Sequence, residues 1–164
     1  MIKFFLGIAI VAFTSFCGYL LANKYRQRKL FFKQFNEFNE RFLNEIAYYR
    51  RPIKDFLASY SYQGEFSDLL SSLFSAIKNR APIESIFSEL SRYSFLKEEE
   101  KRTVEDYFLM LGKGDSASQR GYFSSLKDRL SVLQKDTEQT AKRYSDLYVK
   151  IGFLCGLLIL ILMI

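Results

Sequence analysis

The chain has 164 residues, of which 26% are charged and 17% aromatic, and its formal net charge is +6. It contains no histidine, so the commonest general base and transition-metal ligand is missing, and any catalysis would have to rest on carboxylates, lysine or tyrosine. Five cations lie close together and are called the basic segment: Lys24, Arg26, Arg28, Lys29 and Lys33. Without these five the net charge is +1, which argues against nucleic-acid binding.

The first predicted element is a transmembrane helix. Residues 4–22 form an uncharged apolar run of nineteen residues, and a helix of that length spans about 28 Å, close to the thickness of a bilayer core. A cleaved signal peptide is disfavoured because Lys3 is the only cation before the run and no A-x-A site follows it. A lipoprotein anchor at Cys17 is disfavoured by the bulky Phe16 before it. We therefore predict that residues 1–23 are an uncleaved membrane anchor.

The basic segment predicts the orientation of this anchor. It follows the apolar run with no acidic residue before Glu37, whereas Lys3 is the only charged side chain on the other side. Cations are enriched on the cytoplasmic flank of membrane helices, so the middle of the chain is predicted to be cytoplasmic. The segment is interpreted as a topology determinant that faces the lipid surface, and specific recognition of anionic lipid is the open alternative.

Between its apolar ends the chain is predicted to be all-α, because apolar residues recur three and four positions apart. The first helix is predicted to continue out of the membrane with an apolar stripe of Phe31, Phe35, Phe38, Phe42, Ile46 and Tyr49. Aromatic residues in such a stripe are interpreted as core rather than as a cofactor site. Pro52 follows Arg50 and Arg51 and is predicted to be the first residue of a short helix that ends near Tyr60.

Three further helices are predicted before the C-terminal one. Gly64 precedes the third helix, which ends near Asn79, and Pro82 opens the fourth. An acidic first turn at residues 98–100 opens the fifth, because carboxylates there complement the helix dipole. Gly112 is predicted to end the fifth helix.

The sequence LGKGDSASQ joins the fifth and sixth helices. Gly112 or Gly114 is predicted to close the fifth helix, and Asp115 or Ser116 to cap the sixth, with Gln119 completing a capping box. A phosphate-binding loop is disfavoured, because the GK[ST] ending is missing and no strand precedes the glycines.

The sixth helix is predicted to run to the end of the chain. Its apolar positions advance in alternating steps of four and three, as in a heptad repeat, through Phe123, Leu126, Leu130, Leu133, Thr137, Thr140, Tyr144 and Leu147. The centre of this heptad repeat, here called the heptad seam, is polar at residues 135–140, and this leaves two arrangements open. The helix either stands clear as a stalk or pairs with the first helix.

The last apolar run, residues 151–164, is short for a bilayer span. Extending it back to Leu147 requires Lys150 to snorkel toward the headgroups, and gives a second span of residues 147–164. Residues 24–146 are then a cytoplasmic helical bundle domain, with both termini outside. Cys17 and Cys155 both lie in apolar runs, so neither is placed for a metal or catalytic site in that domain.

In order and spacing, several pieces of this chain resemble the stage III sporulation protein AB family. The pieces are Glu45-Ile46-x-Tyr48 followed by Pro52, Leu111-Gly112-x-Gly114-Asp115 followed by Gln119, and Ile151-Gly152-x-Leu154-x-Gly156. That family is similar to the cytoplasmic domain of the inner-membrane F protein of type II secretion. The resemblance implies a six-helix bundle of that kind, with candidate structural or interaction residues at Glu45, Tyr48, Pro52, Gly112, Gly114, Asp115 and Gln119.

The resemblance also implies a function. The protein would be a non-enzymatic component of the channel between mother cell and forespore, in the mother-cell membrane facing the forespore. Its expected partners are the sporulation ATPase (protein AA) and other membrane subunits, with no cofactor, nucleic acid or small-molecule substrate. Two alternatives are a membrane enzyme, disfavoured because the carboxylates of residues 98–106 resemble a solvated helix face, and a helical adaptor or signalling hairpin unrelated to sporulation.

Overall fold

The computed structural model describes residues 2–49, 52–111 and 116–163, and no strand occurs among them. Six α-helices occur in these ranges: α1 Ile2–Asn44, α2 Ile53–Ser59, α3 Gly64–Lys78, α4 Phe87–Leu90, α5 Glu98–Leu111 and α6 Ser116–Met163. A π-helical turn, Glu45–Tyr49, continues α1, and a 3₁₀ turn, Ile83–Ile86, precedes α4. The predicted all-α fold with six helices and two long apolar end helices is confirmed.

The chain divides into two compact units. Leu30–Lys135 form one, here called the helical unit, and Met1–Lys29 with Asp136–Ile164 form the other, here called the membrane unit. Both α1 and α6 contribute residues to each unit. The helical unit is shorter at both ends than the predicted bundle domain 24–146, because the residues that flank the apolar runs associate with each other. The location of this domain in the cytoplasm stays a prediction.

Aromatic side chains fill the core of the helical unit. The predicted α1 stripe is buried at Phe31, Phe35, Phe38 and Phe42. The Phe35 ring packs edge-on against Tyr107 with 4.8 Å between centroids, and the Phe42 and Phe123 centroids are 5.0 Å apart. Edge-to-face pairs of this kind contribute roughly 0.5–1.5 kcal/mol each beyond the area they bury. The interpretation of the stripe as core is confirmed at these four residues; Ile46 is half-buried against the core, and the Tyr49 side chain lies outside the described residues.

Pro52 and Gly64, at the starts of α2 and α3, have backbone conformations that differ from those of a regular helix. Pro52 has an extended backbone (ψ 140°) and precedes α2, which begins at Ile53, so the proline caps the helix rather than occupying its first position as predicted. Its carbonyl oxygen accepts hydrogen bonds from the amides of Asp55 and Phe56 at 3.0 and 3.2 Å. Gly64, the first residue of α3, has φ +63°, a left-handed conformation that costs other residues about 1–2 kcal/mol.

One of the three glutamates in the acidic first turn of α5 caps the start of the helix. Glu100 is buried, and its carboxylate accepts a hydrogen bond from the Lys97 amide at 2.9 Å. This is the reciprocal half of a capping box, in which a carboxylate at the third helical position satisfies the amide before the helix. Glu98, Glu99 and Asp106 are exposed, as predicted for a solvated face, whereas the buried Glu100 and the half-buried Glu105 depart from that prediction.

Candidate functional site

The two long helices are the first candidate functional feature, because both are long and apolar enough to cross a membrane. Their most apolar stretches are 17% and 11% buried, whereas a core helix of a soluble protein would be mostly buried. Within the membrane unit the exposed side chains include large apolar ones such as Phe13, Phe16 and Leu154. Such a surface is suited to lipid and not to water.

Glycines let α1 and α6 approach each other closely inside the membrane unit. A Cβ atom on Gly18 would lie 2.6 Å from the Tyr148 carbonyl oxygen, and one on Gly152 would lie 2.7 Å from that of Thr14. A Cβ atom on Gly156 would lie 2.8 Å from the Val11 Cα. Gly152 and Gly156 are four residues apart, the small-xxx-small spacing that permits close packing of membrane helices.

A tyrosine cluster lies on the same pair of helices. Tyr25 of α1 stacks on Tyr144 and Tyr148 of α6, with centroids 5.5 and 5.6 Å away. The Arg26 Nε donates a hydrogen bond to the Ser145 hydroxyl at 2.7 Å. Of the two arrangements that the sequence left open, the structure therefore shows the second, in which α6 pairs with α1.

The predicted heptad seam is wrong at its end. Thr137, Ala141 and Ser145 are buried in steps of four, while Leu147 is 43% exposed. Two successive steps of four exceed the α-helical period of about 3.6 residues, whereas a strict heptad averages 3.5. The buried face consequently drifts away from the positions that a heptad predicts.

Most of the basic segment is engaged by neighbouring residues. Within the membrane unit, Arg28 is 8% exposed and lies 3.5 Å from Asp136, and Lys29 lies 3.8 Å from Glu138. Within the helical unit, Lys33 lies 4.0 Å from Glu37. The lipid-facing role of the segment stays a prediction, and the structure places Lys24 and Arg26 at exposed positions and Arg28 at a buried one.

The Glu45–Tyr48–Pro52 motif is split between the interior and the surface. Glu45 is 4% exposed, so its burial favours a structural role. Tyr48 is 79% exposed on the π-helical turn, and Pro52 is exposed before α2. Of these three candidates, Tyr48 presents the large side chain that a partner can contact.

The glycine motif is described only in part. Gly112, Gly114 and Asp115 lie outside the described residues, so their predicted capping roles stay predictions. The Gln119 side-chain amide donates a hydrogen bond to the Met110 carbonyl oxygen at 3.3 Å. Gln119 therefore connects the first turn of α6 to the last turn of α5.

Sequence reasoning missed a buried polar contact at the centre of the helical unit. Asn39 is fully buried, and its amide nitrogen donates to the Phe123 carbonyl oxygen at 3.3 Å. Its amide oxygen accepts a hydrogen bond from the Tyr107 hydroxyl at 3.2 Å. The only available signal was a polar residue one position after the buried stripe residue Phe38, a pattern too common to be diagnostic.

Three buried tyrosines of the helical unit are poorly suited to act as bases. Burial raises the pKa of Tyr107 well above its ordinary value of 10, and burial also raises the pKa of Tyr93 and of Tyr62. These phenols are therefore neutral at physiological pH. A cavity of about 520 Å³ between α2 and α3 is lined by serine, tyrosine and apolar residues, with no charged side chain among the lining residues that the structure describes.

Comparison with known proteins identifies the family. The sequence profile described as stage III sporulation protein AB matches residues 3–164. The stage III sporulation protein AB of Bacillus subtilis (strain 168) is 24% identical over an alignment of 176 residues that covers 99% of each chain. No solved structure matches. With two candidate membrane-spanning helices, the family match indicates membrane association and a sporulation-related role. The chain belongs to the stage III sporulation protein AB family.

Proposed function

We propose that this protein is a non-enzymatic membrane component of the sporulation complex between mother cell and forespore, and that its helical unit binds a cytoplasmic ATPase. Family membership supports the sporulation part of the proposal. The likeness of the family to the cytoplasmic domain of the type II secretion F protein supports the ATPase part. In that role the protein is an assembly platform to which other membrane subunits also bind.

The observation that carries the proposal is the exposure of Tyr48. It is 79% exposed on a π-helical turn, whereas Tyr62, Tyr93 and Tyr107 of the same unit are buried. Single π-helical turns are frequent at functional sites, and tyrosine is enriched in the energetically important centre of protein interfaces. We therefore place Tyr48, with the neighbouring Pro52, in the surface that contacts the ATPase.

The charge distribution supports the proposed orientation. The basic segment follows the first apolar run, and Lys142, Arg143 and Lys150 precede the second with Asp146 as the only acid among them. Both flanks then lie on the cytoplasmic side, with both termini outside. This orientation exposes Tyr48 to the compartment in which a cytoplasmic ATPase resides.

The chemistry of the helical unit supports a binding role over catalysis. The chain lacks histidine, and burial keeps the Tyr62, Tyr93 and Tyr107 phenols protonated. The cavity between α2 and α3 has an uncharged lining in the described part of the chain. Convergent acid and base groups, which an enzyme of this kind would require, are not brought together there.

The test is co-purification of the full-length protein in detergent from sporulating cells of its host. We expect the wild-type chain to retain the sporulation ATPase, and Tyr48→Ala to lower retention by roughly tenfold or more, as for an interface hot spot. Val132→Ala is the matched control, because Val132 is 66% exposed in the same unit. Circular dichroism should show equal helix content for all three proteins.

Two results would contradict the proposal. If the wild-type protein retains no sporulation protein while folded and inserted in detergent, the platform role is wrong. If Tyr48→Ala and Val132→Ala both retain the ATPase fully, the assignment of the surface is wrong. Presence of the protein in vegetative cells would favour the alternative, an adaptor or signalling hairpin unrelated to sporulation.

A further inference from the structure

The membrane unit concentrates unneutralised positive charge in one layer. The helix segments that flank the two apolar runs, residues 23–29 and 136–150, contain seven cations and three acids. Arg28 and Lys29 are 3.5 and 3.8 Å from Asp136 and Glu138, which accounts for two of the three acids. Asp146 alone then opposes a set here called the interfacial ring: Lys24, Arg26, Lys142, Arg143 and Lys150.

The contacts between α1 and α6 bring this ring together from both helices. Gly18 lies against Tyr148 and Gly152, and Arg26 contacts Ser145, so α1 and α6 run antiparallel with residues near 25 opposite residues near 146. At a rise of about 1.5 Å per residue, Lys24, Arg26, Lys142 and Arg143 lie within about 8 Å of each other along the helix axis.

Lys150 lies closer to the apolar runs, and the long stem of lysine lets the ammonium reach the same layer. All five side chains of the ring are exposed.

This layer coincides with the edge of the apolar surface. Within the membrane unit, the exposed large apolar residues of α1 end at Leu21, and those of α6 begin at Leu147. The rings of Tyr25, Tyr144 and Tyr148 stack at the same level, where the aromatic belt of a membrane protein lies. A headgroup layer is roughly 5–8 Å thick on each side of the hydrocarbon, which matches the height of the ring.

We propose that the interfacial ring binds anionic phospholipid headgroups. The Arg143 guanidinium lies 5.6 Å from the Tyr144 ring centroid and that of Arg26 lies 5.9 Å from Tyr19, so both cations are held at the aromatic belt. Guanidinium groups donate in a planar fork that matches phosphate oxygens. The membrane unit therefore selects a phosphatidylglycerol or cardiolipin environment over a zwitterionic one, independently of any protein partner.

The experiment is native mass spectrometry of the full-length protein in detergent, titrated with phosphatidylglycerol or with phosphatidylcholine of the same acyl chains. We expect the wild type to bind phosphatidylglycerol at least tenfold more tightly. The variant K24Q/K142Q/R143Q should lose this preference, because each cation near the surface contributes up to about fivefold in affinity. The control K78Q/K97Q/R102Q removes three exposed cations of the helical unit and should keep the preference.

Further measurements keep the proposal testable if the triple glutamine variant does not fold. The charge-conserving variant K24R/K142R/R143K should keep the preference for phosphatidylglycerol. Equal affinity of the wild type for the two lipids would overturn the proposal. An equal loss in the K78Q/K97Q/R102Q control would overturn it too, because any surface charge would then suffice. Displacement of the lipid by millimolar glycerol phosphate would also overturn it, since the site would then bind a free phosphate.

Discussion

The Tyr107 hydroxyl donates a hydrogen bond to the Asn39 side-chain oxygen at 3.2 Å, and both residues are fully buried in the aromatic core of the helical unit. The two lie on α5 and α1, and Asn39 also donates to the backbone of α6 at Phe123. One buried polar side chain thus connects three helices inside the aromatic core. Because apolar packing is non-directional, this contact is well placed to specify which helix positions face each other.

Loss of the Asn39 amide should destabilise the helical unit. Asn39→Ala removes two buried hydrogen bonds and leaves the Tyr107 hydroxyl without its acceptor, so we expect a loss of about 1–3 kcal/mol. Tyr107→Phe should cost less, since it removes one of these two hydrogen bonds and keeps the one between Asn39 and Phe123. Denaturant unfolding of the full chain in detergent measures both, and a double-mutant cycle should give a coupling of at least about 0.5 kcal/mol. Strict additivity would show that the hydrogen bond contributes nothing.

Alkaline pH should destabilise the wild-type chain through Tyr107. Burial raises the pKa of this phenol well above 10 in the folded state, while the unfolded chain retains an ordinary value near 10. The stabilisation is complete below pH ~10 and is lost as the pH rises toward the folded pKa, because only the unfolded state deprotonates. The expected slope from this group is about 1.4 kcal/mol per pH unit.

Tyr107→Phe is the control for the alkaline transition. It lacks the titrating phenol but keeps the other tyrosines, so its free energy of unfolding should fall less steeply above pH ~10. Circular dichroism during denaturant titration at several pH values measures the two slopes. Parallel slopes for wild type and variant would show that Tyr107 ionises normally in the folded protein.

Side chains larger than hydrogen at Gly152 should separate the membrane helices. A Cβ atom there would lie 2.7 Å from the Thr14 carbonyl oxygen and 3.1 Å from the Gly18 Cα, both backbone atoms that cannot rotate away. We expect Gly152→Val to cost roughly 1–3 kcal/mol and to weaken the near-ultraviolet circular dichroism of the stacked Tyr25, Tyr144 and Tyr148. Unchanged tyrosine ellipticity and thermal midpoint would contradict the close approach.

Gly121 supplies the matched control for this substitution. It lies in α6, is exposed, and a Cβ atom added there would meet no atom within 4 Å. Gly121→Ala should therefore stabilise the helix, by roughly 0.5–1 kcal/mol, because alanine has less backbone freedom to lose. A loss of stability in this control would indicate a general intolerance of α6 to substitution.

The Gln119 side chain should hold the start of α6 to the end of α5. Gln119→Ala removes its hydrogen bond to the Met110 carbonyl oxygen, with an expected cost of about 0.5–1.5 kcal/mol. Gln119→Glu should cost at least as much, because an ionised carboxylate cannot donate to a carbonyl. Hydrogen exchange should show faster exchange of the amides at the ends of α5 and α6. Equal exchange in wild type and Gln119→Ala would contradict this role.

The sequence allowed most elements of the fold to be predicted. The stripe from Phe31 to Phe42 marked a buried helix face, the acidic turn at residues 98–100 marked the start of α5, and Gly64 marked the start of α3. Each of these signals is local: side-chain period, helix dipole and backbone freedom act within a few residues. The Pro52 position was misjudged by one residue, since proline also suits the extended residue before a helix.

The candidate site was less predictable, because the geometry of a single turn decides which of its residues are exposed. That Glu45 is buried and Tyr48 exposed depends on the turn in which both lie, which widens to π-helical geometry at this point. A regular helix would have kept the two residues on adjacent faces. The spacing of apolar residues in the sequence does not indicate that the helix widens here to include one extra residue in the turn.

The sequence by itself determined that this chain is helical, that its ends are apolar enough for a membrane and that its aromatic stripe is core. Composition and period decide these properties, because burial and helix formation respond to local pattern. Only the tertiary structure decided that α6 pairs with α1 through Gly18 and Gly152, that Arg28 faces Asp136 and that Asn39 meets Tyr107. Such contacts depend on the register between helices, and many registers satisfy the same apolar pattern until shape and hydrogen bonding select one.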